Sequence, residues 1–293
     1  MSVLLGALLG LGQFSSQGAP PPEPLQSPLP PALAPQSPSD PDQSEKLFEQ
    51  AVACQHGEGE LKSPEKARDL YLASSQGGNT KAMLNLGILL MAGDGVPQDQ
   101  DQGFRWIRKA ADAGDVKALY SCALILRSGV GVPKDPALAV VMMSKAAEMG
   151  YPLAELDLGK DLRDGTNGVS KDPKKAAELL LKAAMAGHDG AAFTMSELYA
   201  SGEGVPKDNS KSHEWMEKAG QLGNPNAQFE KAHKLMVLQG PAAAYPWAKL
   251  AHDAGYVPAN GMILEITGML TPEQIKKGDR EAERIKSAYP SLP

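Results

Sequence analysis

Residue types that do chemistry are sparse in this 293-residue chain. Its histidines are His56, His188, His213, His233 and His252, and none has another histidine or a cysteine three or four residues away. That spacing is what places two ligands on one helix face, so no metal-ligand pattern is legible. No Gly-x-Ser-x-Gly elbow presents a serine nucleophile. Cys54 and Cys122, the two cysteines, lie in apolar stretches, where burial raises a thiol's pKa and blunts its reactivity. Asp94, Asp99 and Asp101 crowd one segment, but a calcium loop needs more oxygen ligands at alternating positions. The expectation is that there is no catalytic residue, no metal and no cofactor.

Glycine pairs remain as possible phosphate cradles. They occur in Gly93-Asp94-Gly95-Val96-Pro97-Gln98-Asp99, Gly129-Val130-Gly131-Val132-Pro133-Lys134-Asp135 and Gly202-Glu203-Gly204-Val205-Pro206-Lys207-Asp208. A fourth copy, from Gly165 through Gly168 to Asp172, carries one inserted residue. A phosphate loop would follow a strand and end in Lys-Ser/Thr, whereas each phrase here follows an apolar helical stretch and ends in Asp. Helix punctuation accounts for every residue: a left-handed glycine stops one helix and the Asp caps the next. In Ser63-Pro64, Asp135-Pro136 and Asp172-Pro173 the cap precedes a proline at the first helical position, where its missing N–H costs nothing.

The phrases recur every 36 or 37 residues, a period of helical arrays rather than of one globular core. After each comes a second apolar segment ending in a glycine stop, as in Lys109-Ala-Ala-Asp-Ala-Gly114 and Lys182-Ala-Ala-Met-Ala-Gly187. One repeat therefore reads as helix A, glycine loop, helix B, stop. Helices of about 12 residues are marginal alone and must bury apolar faces on one another. Small residues such as Gly87, Ala123 and Gly159 permit close approach, and Trp106, Trp215 and Trp247, each eight residues before a closing glycine, read as packing residues.

This pattern resembles the Sel-like repeat family, relatives of the tetratricopeptide repeats. Ala82, Leu86-Gly87, Leu90, Gly93, Gly95, Val96, Asp99, Trp106 and Ala110-Ala111 carry the resemblance most fully. The third copy has Cys122-Ala123 where the family prefers Leu-Gly, the fifth has Met195-Ser196, and the sixth runs through Gly240-Pro241 without a glycine loop. The resemblance implies an all-α fold, a right-handed α/α solenoid of about six repeats. Some secreted relatives carry a cysteine pair in every repeat. This chain does not, and its two cysteines, in the first and third copies, are expected to be buried thiols too far apart for a disulfide.

The expected domains are a signal peptide at 1–18, a Pro-rich linker at 19–42, about six repeats at 43–258, and a partial repeat with a capping helix at 259–293. Val3 to Leu11 is an apolar run too short to span a bilayer but long enough for a signal-peptide core. A frayed apolar tail and an uncleaved anchor are the other readings. Ten or so prolines follow within about two dozen residues, an extended linker composition. Together these suggest an exported protein, periplasmic or secreted, without a membrane span after processing. Thr271-Pro272-Glu273-Gln274 is a capping box that opens a polar terminal helix. The net charge of −6 and the lack of a basic cluster argue against nucleic acid.

Repeat arrays bind along the face lined by their A helices. One repeat position there reads Phe48, Leu84, Tyr120, Leu156, Phe193 and Phe229, four aromatics in a chain only 5% aromatic. Four residues on come Val52, Ile88, Leu124, Lys160, Glu197 and His233, then Gln55, Met91, Arg127, Arg163, Ala200 and Met236. Either these side chains pack between helices and complete the core, or their edges line a groove for a protein or peptide partner. In the second case the binding set is Leu84, Ile88, Met91, Tyr120, Leu124, Arg127, Leu156, Lys160, Arg163, Phe193, Glu197, Phe229 and His233. The leading functional reading is a non-enzymatic scaffold. The alternative, which the resemblance also implies, is a secreted hydrolase or cell-wall-acting accessory protein.

Overall fold

The computed structural model describes residues 41–57 and 62–288. The expected signal peptide and nearly all of the expected linker lie outside them. Among the described residues there are fourteen helices and no strand. Contacts divide the chain into two compact units at Ala146–Ala147. The first unit holds α1 (Pro41–His56), α2 (Pro64–Gln76), α3 (Thr80–Ala92), α4 (Gln100–Asp112) and α5 (Val116–Ser128). The division falls within α6 (Pro136–Glu148). The second holds α7 (Pro152–Asp164), α8 (Pro173–Met185), α9 (Asp189–Ser201), α10 (Asn209–Gln221), α11 (Pro225–Gln239), α12 (Pro241–Asp253), α13 (Ala259–Met269) and α14 (Pro272–Ala288). Within each unit successive helices pack as neighbours, α1 through α5 in the first and α7 through α13 in the second, with α14 laid on α12. The odd-numbered helices through α13 are the A helices.

Each glycine phrase forms a clasp. The first glycine ends helix A in the left-handed region, as at Gly93 (φ 69°) and Gly202 (φ 83°), and its N–H donates to the carbonyl four residues back. The closing Asp then works at both ends. Its backbone N–H returns to helix A, Asp99 to Leu90, Asp135 to Leu126, Asp172 to Leu162 and Asp208 to Tyr199, at 2.8–3.0 Å. Its carboxylate accepts from the first turn of helix B, from the N–H of Gln102, Leu138, Lys175 and Lys211 respectively. Some of the orphan groups at both termini are thereby satisfied locally. The fourth phrase reaches the same end differently: Asn167 (φ 50°) and Gly168 (φ 88°) form a turn closed by the Val169 N–H on the Thr166 carbonyl. Positive φ at both central residues marks a type I′ turn, which absorbs the inserted residue.

The second glycine of a phrase serves packing between repeats. A Cβ on Gly204 would collide with the Pro173 carbonyl at the start of α8, and one on Gly131 with the Gln100 side chain at the start of α4. Each loop thus rests on the preceding B helix, which adds steric exclusion to the positive φ of both residues. Polar contacts repeat at the same interval: Asn79 donates to Glu45 (2.7 Å), Thr80 to Asp115 (3.2 Å) and Asn224 to Asp189 (3.1 Å).

Behind these clasps lie small residues and leucines. In the first unit Ala51, Cys54, Ala67, Tyr71, Ala82, Leu86 and Leu89 pack together. In the second, Leu180, Ala184, Ala191, Met195, Leu198, Ala219 and Ala227 form one cluster, and Ala232, Ala244, Tyr245, Ala248 and Ile266 another. Cys54 and Cys122 are buried and no disulfide joins them; burial pushes the Cys122 thiol up to about 12. Trp106, Trp215 and Trp247 are packing residues only in part. All three are half-buried, and each carries a lysine on its ring face, Lys109 at 4.9 Å, Lys218 at 4.6 Å and Lys231 at 4.0 Å. Gly240 both ends α11 and starts α12, so the sixth pair turns without a loop, and the Thr271–Gln274 capping box forms in both directions.

Candidate partner-binding face of the A helices

The structure sorts the expected ladder into a closed part and an open part. In the first unit α3 and α5 turn their apolar ladder residues inward: Leu84 is 2% exposed, Met91 fully buried, and Ile88, Tyr120 and Leu124 are buried too. Leu156, on the first A helix of the second unit, is likewise buried. These six complete the stack and offer no surface to a partner; Arg127 stays half-buried. The reason is local. At these positions the helices carry apolar side chains on adjacent faces, and α3 is hydrophobic almost all round, as a buried helix must be.

Open positions are Phe48 in the first unit, and Lys160, Arg163, Phe193, Glu197, Phe229 and His233 in the second. Phe48 is half-buried beside Tyr71 (6.0 Å between centroids), with the Lys81 ammonium 5.8 Å from its ring. Phe193 leans on the cluster around Met195, and Phe229 meets Tyr256 edge-on at 5.4 Å. Both rings keep an accessible edge on neighbouring A helices. Around them the charges are unevenly used. Arg163 binds Asp164 (2.8 Å) and lies 3.7 Å from Glu197 on the next A helix; the guanidinium beside Asp164 holds that carboxyl below its usual range. Glu197 and His233 are exposed, and Lys160 is half-buried.

Three polar features were not legible in the sequence. His188 caps the start of α9 without a side-chain bond; burial pushes its pKa down, and its buried Nδ1 has no hydrogen-bond partner. It is therefore less solvated than its place after a helix-ending glycine suggests. A buried chain of polar groups crosses three helices of the first unit, the Tyr71 hydroxyl donating to Gln55 (2.7 Å) and accepting from Asn85 (3.3 Å). The third is an open cavity of about 460 Å³ along α10, lined by His213, Glu214, Glu217, Lys218, Gln221 and Leu222. Lys234 donates to His213 Nε2 at 3.0 Å and Lys231 pairs with Glu217, so two of the lining groups are tied to α11. No serine, threonine or cysteine lines the cavity. Among the described residues no group of three or more His, Cys, Asp or Glu side chains could hold a metal ion, and no helix is long and apolar enough to cross a membrane.

Paired antiparallel helices, repeated at one interval and clasped by the same loop, define an α/α repeat solenoid. The Sel1 repeat model matches residues 51–79, 80–115, 116–151, 152–188 and 190–224, each full match covering one A helix, its loop and its B helix. The chain belongs to the Sel1 repeat family. It is similar to a Sel1 repeat protein from Oxalobacter formigenes, at 26% identity and a TM-score of 0.63 over 73% of this chain and 87% of that one. It is also similar to a protective antigen with an SLR fold from uropathogenic Escherichia coli, at 21% identity and a TM-score of 0.48 over 84% of this chain and 61% of that one. An immunity protein from Pseudomonas aeruginosa matches at 22% identity and a TM-score of 0.46, over 80% of this chain and 89% of that one. No curated protein matches the sequence. Repeats of this family commonly mediate protein interactions.

Proposed function

We propose that this chain is an exported scaffold that holds a protein or peptide partner against the A helices of its second unit and performs no chemistry of its own. One observation carries the reading: Phe193 and Phe229 occupy the same repeat position on successive A helices α9 and α11 and both keep their rings half-open, whereas Leu84, Tyr120 and Leu156 at that position are closed and Phe48 on α1 is half-open by itself. Rigid aromatic edges beside charged neighbours are the residue types that anchor interfaces. Export is supported by the apolar run Val3–Leu11 and the proline-rich stretch after it, and N-terminal sequencing of the mature protein tests it.

The binding test uses Phe193→Ala with Phe229→Ala, since the burial of Tyr120 makes that residue a probe of stability instead. A partner captured from the native source is purified and titrated against both proteins. Loss of binding by the double variant, with its helical spectrum and cooperative melt retained, supports the reading. Undiminished affinity overturns it.

A further inference from the structure

We infer that the open face of the second unit selects a peptide carrying a carboxylate next to an apolar side chain, with Lys160 as the anchor for the carboxylate. This rests on the partner-binding reading above and adds the chemistry of the partner. Among the cations of that face, Arg163 is already committed to Asp164 and Glu197. Lys160 is not: half-buried on α7, it acts on Asp164 and His188 as a more distant charge, with no close ion pair to a carboxylate among the described residues. Of the carboxylates around it on its own helix, Asp161 accepts from Thr166 and Asn167, Asp164 is held mainly by Arg163 with Lys160 adding a weaker attraction, and Asp157 has an interaction of its own. A half-buried ammonium with no carboxylate in direct contact gains from an anion delivered to it.

Register places that ammonium beside an aromatic edge. The Arg163–Glu197 contact at 3.7 Å shows which turns of α7 and α9 lie level. One turn earlier on both helices, Lys160 is level with Phe193 and Thr194. The Asn224–Asp189 hydrogen bond at 3.1 Å aligns the starts of α9 and α11 in turn, which sets Phe229 next to Phe193 across the face. A partner side chain seated between the two rings therefore brings its neighbouring residue over Lys160. Glu197, one turn on and exposed, opposes a second carboxylate there, so the preferred segment has its acid on the Lys160 side of the apolar residue only.

The test titrates the full chain with two pools of acetylated, amidated decapeptides sharing a central Phe-Leu, one flanked by Asp and Glu and the other by Lys. The acidic pool is expected to bind at least about tenfold more tightly, Lys160→Glu to reverse the order, and Lys160→Met to erase it. A circular-dichroism melt confirms that both variants fold. If both pools bind equally and the variants change nothing, the inference falls while the partner-binding face stands. If neither pool binds, both fall. Preference of the native chain for the basic pool also overturns the inference.

Discussion

At the scale of single residues the decisive feature is that polar groups are placed for closure rather than for reaction. Glycine phrases that could have cradled an anion spend their N–H groups on helix carbonyls, and their Asp carboxylates cap the following helix. The second glycine has no tolerance at all. Gly204 combines a φ of 72° with the Pro173 carbonyl where a Cβ would stand, and a β-branched residue there resists the left-handed backbone as well. Gly204→Val is expected to destabilise the second unit by more than about 1 kcal/mol, and an unchanged denaturant midpoint would contradict the clasp. Glu155 carries the opposite kind of strain. Burial is the main cause that raises its carboxyl above the usual value, with Lys182 partly opposing. The unfolded chain ionises this group first as pH rises, so native stability is full below the ordinary carboxylate pKa and declines as pH climbs through the folded value. Glu155→Gln should melt above the parent at about pH 7, and the gap should close near pH 4; a gap that widens on acidification would refute the assignment.

At the scale of elements the glycine and Asp positions made the boundaries readable. Gly93, Gly129, Gly165 and Gly202 end helices where their phrases place them, and Asp99, Asp135, Asp172 and Asp208 stand just before the helices that follow. Local chemistry decides these sites, and local chemistry is what a sequence displays. The ladder was less legible because its burial depends on which face of each A helix meets a neighbour. Phe193 and Leu156 share a repeat position, yet Phe193 is half-open and Leu156 buried. His188 is half-buried for the same kind of reason, since Asp157 and Lys160 near it come from another helix. The caps supply an element-level prediction: Asp208 accepts from both Ser210 and Lys211 N–H groups. Asp208→Ala should cost about 1 kcal/mol, read as a lower melting midpoint, and a neutral result would mean that water replaces the cap.

At the scale of the whole molecule, repetition supplies stability without a site, and function depends on where repetition is broken. In the first unit α3 and α5 close their apolar ladder residues into the stack and only Phe48 on α1 stays half-open, while the second unit carries Lys160, Glu197 and His233 around two half-open rings. A strongly helical far-ultraviolet spectrum is expected for the intact chain, and a strand-rich one would remove the basis of every repeat argument. The most direct measurement of the central claim is site-specific photo-crosslinking to the captured partner, with the photoreactive residue at exposed Glu197 on α9 or at exposed Met185 and Glu214 on the B helices. Crosslinks from position 197 and none from 185 or 214 are predicted. Crosslinks from the B-helix positions alone would place the partner on the opposite face and contradict the account.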